Sequence, residues 1–184
     1  MSDEIFWHFA QVGEDGVPRL RYADGREITV GGTLRIESTP VLCSVGLHAS
    51  ARILDALGYA QASSLALCRV TLGGTVLHDS DKSVASERTV VAMLTAAQTD
   101  ALLRQFARWC ALSVAHLWKM PEIMRQYLET GDESLRAAAR AAAWAAARAA
   151  AWAAAAPAAR DAARAAAWAA AWAAQEAELR RLFD

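Results

Sequence analysis

Histidine and cysteine are the side chains best suited to chemistry here, and five of them, His8, Cys43, His48, Cys68 and His78, fall in the first half of the chain. They could ligate zinc, but Cys43 and His48 are five apart and Cys68 and His78 ten apart, and no pair has the tight spacing of a zinc finger. Buried thiols are the simpler expectation, and no metal is expected. His8 stands between Trp7 and Phe9, so a strand would turn it to the face opposite both rings, either solvated or lining a cleft. His48 follows Gly46-Leu47 and precedes what reads as a helix start, a usual place for ligand contacts. Arg52 and Arg69 could neutralise a phosphate. Asp79, Asp81 and Lys82 read as a solvated charged turn, and His116 as a structural residue at the edge of a helical stripe. No phosphate-cradling loop, dinucleotide fingerprint or serine-hydrolase elbow is present.

These residues need strands and turns to bring them together. Ile5 to Phe9 reads as a short aromatic strand, and the dipeptides Asp15-Gly16 and Asp24-Gly25 flank an alternating segment, Arg19 to Tyr22. Strands are expected at Glu27 to Val30 and Thr33 to Ile36, separated by Gly31-Gly32. Ser50 is expected to cap a short helix ending at Ala60, with Ile53, Leu54 and Leu57 on one face. Leu65 to Leu72 reads as a buried strand, which Gly73-Gly74 would turn into a second strand, Thr75 to His78; a last strand is expected at Thr89 to Leu94. From Thr99 the period changes to 3.6, with Leu102, Leu103, Phe106, Trp109, Cys110, Ser113, Val114 and Leu117 on one stripe. Pro121 opens a further helix that Gly131 ends, and Asp132 can cap the next. The fold class expected is α+β: a small, mostly antiparallel sheet domain over 1–94, a helical segment over 95–131, and an alanine-rich helix over 132–184.

The chain has 184 residues, with 19 basic and 20 acidic side chains and a formal net charge of -1. That balance, with 55% hydrophobic residues, excludes a disordered acidic or basic protein. Much of the apolar content is a single tract, since 29 of the 41 residues from 137 to 177 are alanine. Three widely spaced cysteines and no charged-then-apolar leader fit a reducing cytoplasm, bacterial or that of an infected host. Arginines interrupt the alanine tract, so neither a membrane span nor a membrane partner is expected.

Within that tract, large residues recur every fourth position: Arg136, Arg140, Trp144, Arg148, Trp152, then Arg160, Arg164, Trp168, Trp172, Glu176 and Arg180. Alanine is the best helix former, and about 50 residues at roughly 1.5 Å each would make a rod of about 75 Å. A step of four drifts about 40° per repeat on a straight helix, so the stripe winds around it. Pro157 is expected to kink the rod, with a fold-back at Ala156-Pro157 as the competing arrangement. Oligomerisation or intramolecular packing through this helix, with tryptophans buried against a neighbour, is the main expectation, and nucleic acid, by phosphate pairing and base stacking, a weaker one.

The order of motifs resembles the ADP-ribosyltransferase fold of the diphtheria-toxin and poly(ADP-ribose) polymerase type over residues 5–92. The resemblance rests on Trp7-His8-Phe9-Ala10, then Gly46-Leu47-His48-Ala49-Ser50 before a helix ending at Tyr59-Ala60, then Leu65 to Gly73, then Ser86-Glu87-Arg88-Thr89-Val90-Val91. It implies that His8 bonds the nicotinamide ribose, that His48 replaces the tyrosine stacked on nicotinamide, and that Glu87 polarises the ribose 2'-hydroxyl and stabilises an oxocarbenium-like transition state. NAD is the ligand it implies, with His8, His48, Arg52 and Arg69 in contact with it. Phe9 stands where the family has a glycine and Ala10 where it has a hydroxyl, which weighs toward a domain that binds a nucleotide without transfer. The chain also resembles uncharacterised phage and bacterial proteins with a Gly-Phe/Leu-His-Ala motif and alanine-rich tails. Three functions follow as expectations: an NAD-dependent ADP-ribosyltransferase, a counter-defence protein that sequesters a nucleotide signal or a host protein, and an immunity-type or structural oligomerisation protein.

Overall fold

Two long apolar segments with period-two alternation organise the first half of the computed structural model, which describes residues 4–20, 25–153 and 160–183. They are β5 (Leu65–His78) and β6 (Ser83–Met93), and around them lie β1 (Phe6–Val12), β2 (Pro18–Arg19), β3 (Thr33–Arg35) and β4 (Leu47–Ala49). The sheet order is β2-β1-β5-β6-β3, with β4 also paired to β6, and every pairing is antiparallel. Phe6 lies opposite Val70, His8 opposite Cys68, Val70 opposite Val90 and Leu72 opposite Arg88, so these residues share one face. That face carries the core, in which Phe6, Cys68, Val70, Leu72 and Val90 cluster with Ala10, Val12 and Ile28. Each large apolar side chain buried there contributes about 1.5–3 kcal/mol.

Three local expectations are corrected. Gly73-Gly74 is not a hairpin turn: β5 runs straight through it, with pairing irregularities between Arg69 and Val70 and between Gly73 and Val76. Gly74 has φ +66, and a Cβ there would stand 2.1 Å from Ser86 Oγ, so the pair serves a bulge that lets β6 approach closely. The chain reverses instead at residues 79–82, where the Lys82 carbonyl accepts from the Asp79 N–H at 2.8 Å, so β6 begins at Ser83 rather than Thr89. Ser50 caps no helix. Its N–H and carbonyl are both bonded to Trp7 of β1, at 2.9 and 2.7 Å, which makes Leu47 to Ser50 extended sheet structure. α1 (Ile53–Gly58) starts later, without a side-chain cap, and buries Ile53, Leu54 and Ala56.

The chain forms two compact units, one built up to Leu102 and the other from Leu103–Leu182. α2 (Ala96–Ser113) begins a turn earlier than its apolar stripe, because the buried Thr99 hydroxyl accepts the Leu67 N–H of β5 at 3.0 Å and fixes its first turn. Leu102 and Phe106 of that stripe are buried, whereas Val114 and Leu117 are exposed; α2 stops at Ser113 and a 3-10 turn, Ala115–Leu117, follows. In the second unit α3 (Glu122–Thr130) ends at Gly131. Asp132 then accepts the Ser134 N–H at 2.9 Å and caps a 3-10 turn. α4 (Arg136–Ala153) packs against α3, and α5 (Arg160–Phe183) carries the C-terminal repeat. Their 18 and 24 residues correspond to about 27 and 36 Å of helix. The kink or fold-back expected at Ala156-Pro157 lies outside the described residues. Among the described residues no helix is long and apolar enough to cross a membrane.

Candidate functional site

Strands β1, β4 and β6, the end of α1 and the β5–β6 turn line a cavity of about 700 Å³ in the first unit. His8 enters from β1, His48 from β4, Arg88 from β6, Tyr59 from the end of α1 and Lys82 from the turn. Gly46 makes this convergence possible. Its φ is +132, and a Cβ at that position would lie 2.2 Å from Val84 Cγ2, so only glycine lets β4 lie flat against β6 with His48 opposite Val84.

The same glycine sets the state of His48. Its carbonyl lies 3.2 Å from His48 Nδ1, and since a carbonyl only accepts, Nδ1 must carry the proton and Nε2 is left as an acceptor. Nε2 is buried and has no hydrogen-bond partner among the described residues. Burial, more than the nearby charges of Arg88 and Lys82, holds His48 below the ordinary histidine value, while the Gly46 bond pulls it up. His8 is held well below that value, first by burial, then by Arg88 and by His48. Both imidazoles are therefore uncharged at neutral pH.

Arg88 stands at the centre of the group and is only 1% exposed. Its Nη1 donates to the His48 carbonyl at 2.6 Å, whereas Nε and Nη2 are buried without a partner among the described residues. Burial lowers its pKa to about 10, so the guanidinium is still charged at neutral pH. The Cys68 thiol, which acts on it electrostatically, is pushed up to about 11 by burial and so supplies no thiolate. Among the described residues no carboxylate lines the cavity. Its other two cations have acids at hand: Arg19 is held by both Asp15 oxygens at 2.8 and 2.6 Å, and Lys82 lies 3.9 Å from Asp81 and donates to Tyr59 Oη at 3.1 Å. Among the described residues Arg88 is thus a desolvated cation without a counter-ion, a state that costs several kcal/mol. An incoming anion would relieve that cost.

The structure brings His8 and His48 together and leaves the other three expected site residues off the cavity wall. Glu87 points to the strand face opposite Arg88 and accepts from Arg35 Nε at 3.1 Å, in an exposed ion pair. Arg52 donates to both oxygens of the buried Asp55 at 2.6 and 3.1 Å, which ties it to the first turn of α1. Arg69 sits on β5 opposite Trp7. Arg88 was missed, although its signal was in the sequence: it lies four residues after Val84 and two before Val90, in phase with the core side of a strand, where a basic residue is costly. Among the described residues no group of three or more His, Cys, Asp or Glu could hold a metal ion.

A family model described as a domain of unknown function, DUF7666, matches residues 20–101, less than half of the chain. The matched segment holds His48, Lys82 and Arg88, while His8 precedes it. No curated protein and no solved structure matches the chain.

Proposed function

We propose that the sheet domain binds a nucleotide, of which NAD and ADP-ribose are the first candidates, and that an oxyanion of the ligand rests on Arg88. The observation that carries this proposal is the buried guanidinium at the cavity wall, with Nε and Nη2 unpaired and no carboxylate beside it among the described residues. His8 and His48, uncharged and within electrostatic reach of each other and of Arg88, are placed to bond the ligand's hydroxyl or amide groups. A volume near 700 Å³ suits a ligand of nucleotide size. An ADP-ribosyltransferase-like arrangement of the strands belongs to the same proposal.

Between transfer and binding alone, the position of Glu87 favours binding. A carboxylate that stabilises an oxocarbenium-like centre must face the reacting sugar, and Glu87 is paired to Arg35 away from the cavity. Sequestration of a nucleotide, the counter-defence reading, therefore comes first, and ADP-ribosyl transfer second. Thermal unfolding with NAD or ADP-ribose, followed by mass analysis of the mixture, separates them. Saturation at a hundred times Kd should raise Tm by roughly 5–10 °C. Recovery of intact ligand supports sequestration, and release of nicotinamide restores the transferase. An unchanged Tm with both ligands removes the nucleotide proposal.

The alanine-rich helices are proposed to join copies of the chain. Trp144 on α4 is 59% exposed, beside Arg136 and Arg140 in a shallow groove, and alanine lets helices approach closely. Ending the chain at Gly131 should lower the mass in solution; an unchanged mass would remove this role. Three free cysteines, Cys43, Cys68 and Cys110, suit the reducing cytoplasm in which such a protein would act.

A further inference from the structure

The unpaired edge of Arg88 has a direction and a charge, and both restrict what the cavity accepts. Nη1 already donates to the His48 carbonyl, whereas Nε and Nη2 are the two nitrogens with no partner among the described residues. These two lie on one edge of the guanidinium plane and point the same way, spaced to meet two oxygens of a single phosphate or carboxylate.

The charge follows from the surroundings. Lys82 and Arg19 line the same cavity, but Asp81 and Asp15 accompany them. His48 offers an acceptor nitrogen rather than a second positive group, and His8 is enclosed beside Arg88. One unit of positive charge is left to balance, and a second negative charge on the same group would enter the cavity without a partner.

We propose that the cavity selects a singly charged oxyanion, gripped side-on by Nε and Nη2 of Arg88, and discriminates against a doubly charged terminal phosphate. This deepens the nucleotide-binding proposal, because it assigns one internal phosphate of a pyrophosphate or phosphodiester linkage, rather than a terminal phosphate, to Arg88. A carboxylate shares the charge and the two-oxygen edge, so the chemistry is named by those properties and the source by experiment.

The test uses the full chain and three small probes at about pH 8 and matched ionic strength, a pH at which methyl phosphate is a dianion. Dimethyl phosphate and glycolate carry one charge. Affinities read from thermal shifts should place methyl phosphate about tenfold weaker than the better of the other two. Arg88→Met should abolish the shift, and Arg88→Lys, which keeps the charge and loses the edge, should weaken it about tenfold. Equal or tighter binding of methyl phosphate overturns the charge rule, and an undiminished shift in Arg88→Met overturns the site. If none of the three probes shifts Tm, the proposal falls. A shift with dimethyl phosphate but with neither NAD nor ADP-ribose supports the oxyanion site and removes the nucleotide. Tighter binding of glycolate supports the charge rule and assigns the source to a carboxylate.

Discussion

The sheet unit and the helical unit both hold arginines beside aromatic rings, yet they dispose of the charge in opposite ways. In the helices most described ion pairs are local: Arg136 meets Glu133 at 3.2 Å, Arg180 meets Glu176 at 2.8 Å and Arg181 meets Glu178 at 2.6 Å, while Arg104 of α2 reaches Glu133 at 3.7 Å. Spacings of three and four residues place the local partners on one helix face, where each pair adds a few tenths of a kcal/mol and leaves little unmet charge. In the sheet, Arg88 lies on the core face, bonded to one carbonyl and, among the described residues, without an acid. The contrast teaches that arginine content is a poor guide to where an anion binds. An arginine on a helix surface can meet an acid three or four residues away or be solvated, and one buried in a strand core can do neither.

The largest effect expected from breaking this arrangement comes at Gly46. Gly46→Ala should cost about 3 kcal/mol and remove ligand binding, because the new methyl group meets Val84 and a side chain must hold a positive φ. The matched change in the helices, Ala145→Gly on exposed α4, should cost only about 1 kcal/mol. Denaturant melts of the two variants check the pair, and equal losses would erase the difference between the units.

Next in size is Arg88→Met. Removing an uncompensated buried charge offsets the loss of its bond to the His48 carbonyl, so ligand-free stability should change by less than about 2 kcal/mol while binding is lost. Collapse of the fold in this variant would make Arg88 a structural residue.

A pH effect follows from the two histidines. Because both are held below the ordinary value of 6.5, the folded chain binds fewer protons than the unfolded chain once pH drops below it. Stability is therefore full above that value and is lost as pH falls toward the folded pKa values. Melting curves from about pH 7.5 to 5.5 should show the slope, and changing His8 and His48 together to Gln should flatten it. Asp15, Asp132 and Glu178, whose carboxyls are held below their ordinary values, lose their contributions only at more acidic pH. A slope that survives in the double variant would contradict the assignment.

The smallest effect belongs to Glu87→Gln. Loss of an exposed pair with Arg35 should cost at most about 1 kcal/mol and leave affinity unchanged. Abolished transfer with intact binding would instead return Glu87 to catalysis.

What could be read in the residues divides along the same line. The β1 and β5 strands and the helix ending at Gly131 follow from local periodicity and turn chemistry, and alternation placed His8 opposite Trp7 and Phe9. Gly73-Gly74 misled because two glycines mark a bulge as readily as a hairpin, and only the register of β6 decides between them. Ser50 misled for a related reason: its backbone is claimed by Trp7, a partner far away in sequence. Arg88 was legible as a basic residue in core phase, but its lack of a carboxylate depends on which strands surround it, which no local pattern states.

The most direct measurement is of the Arg88 guanidinium itself. In nitrogen–proton spectra of arginine side chains, one Nε–H resonance, identified by its absence in Arg88→Lys, should move downfield as ADP-ribose is added and saturate together with the rise in Tm. A resonance that stays in place while the ligand binds would contradict the central claim that Arg88 holds the anion.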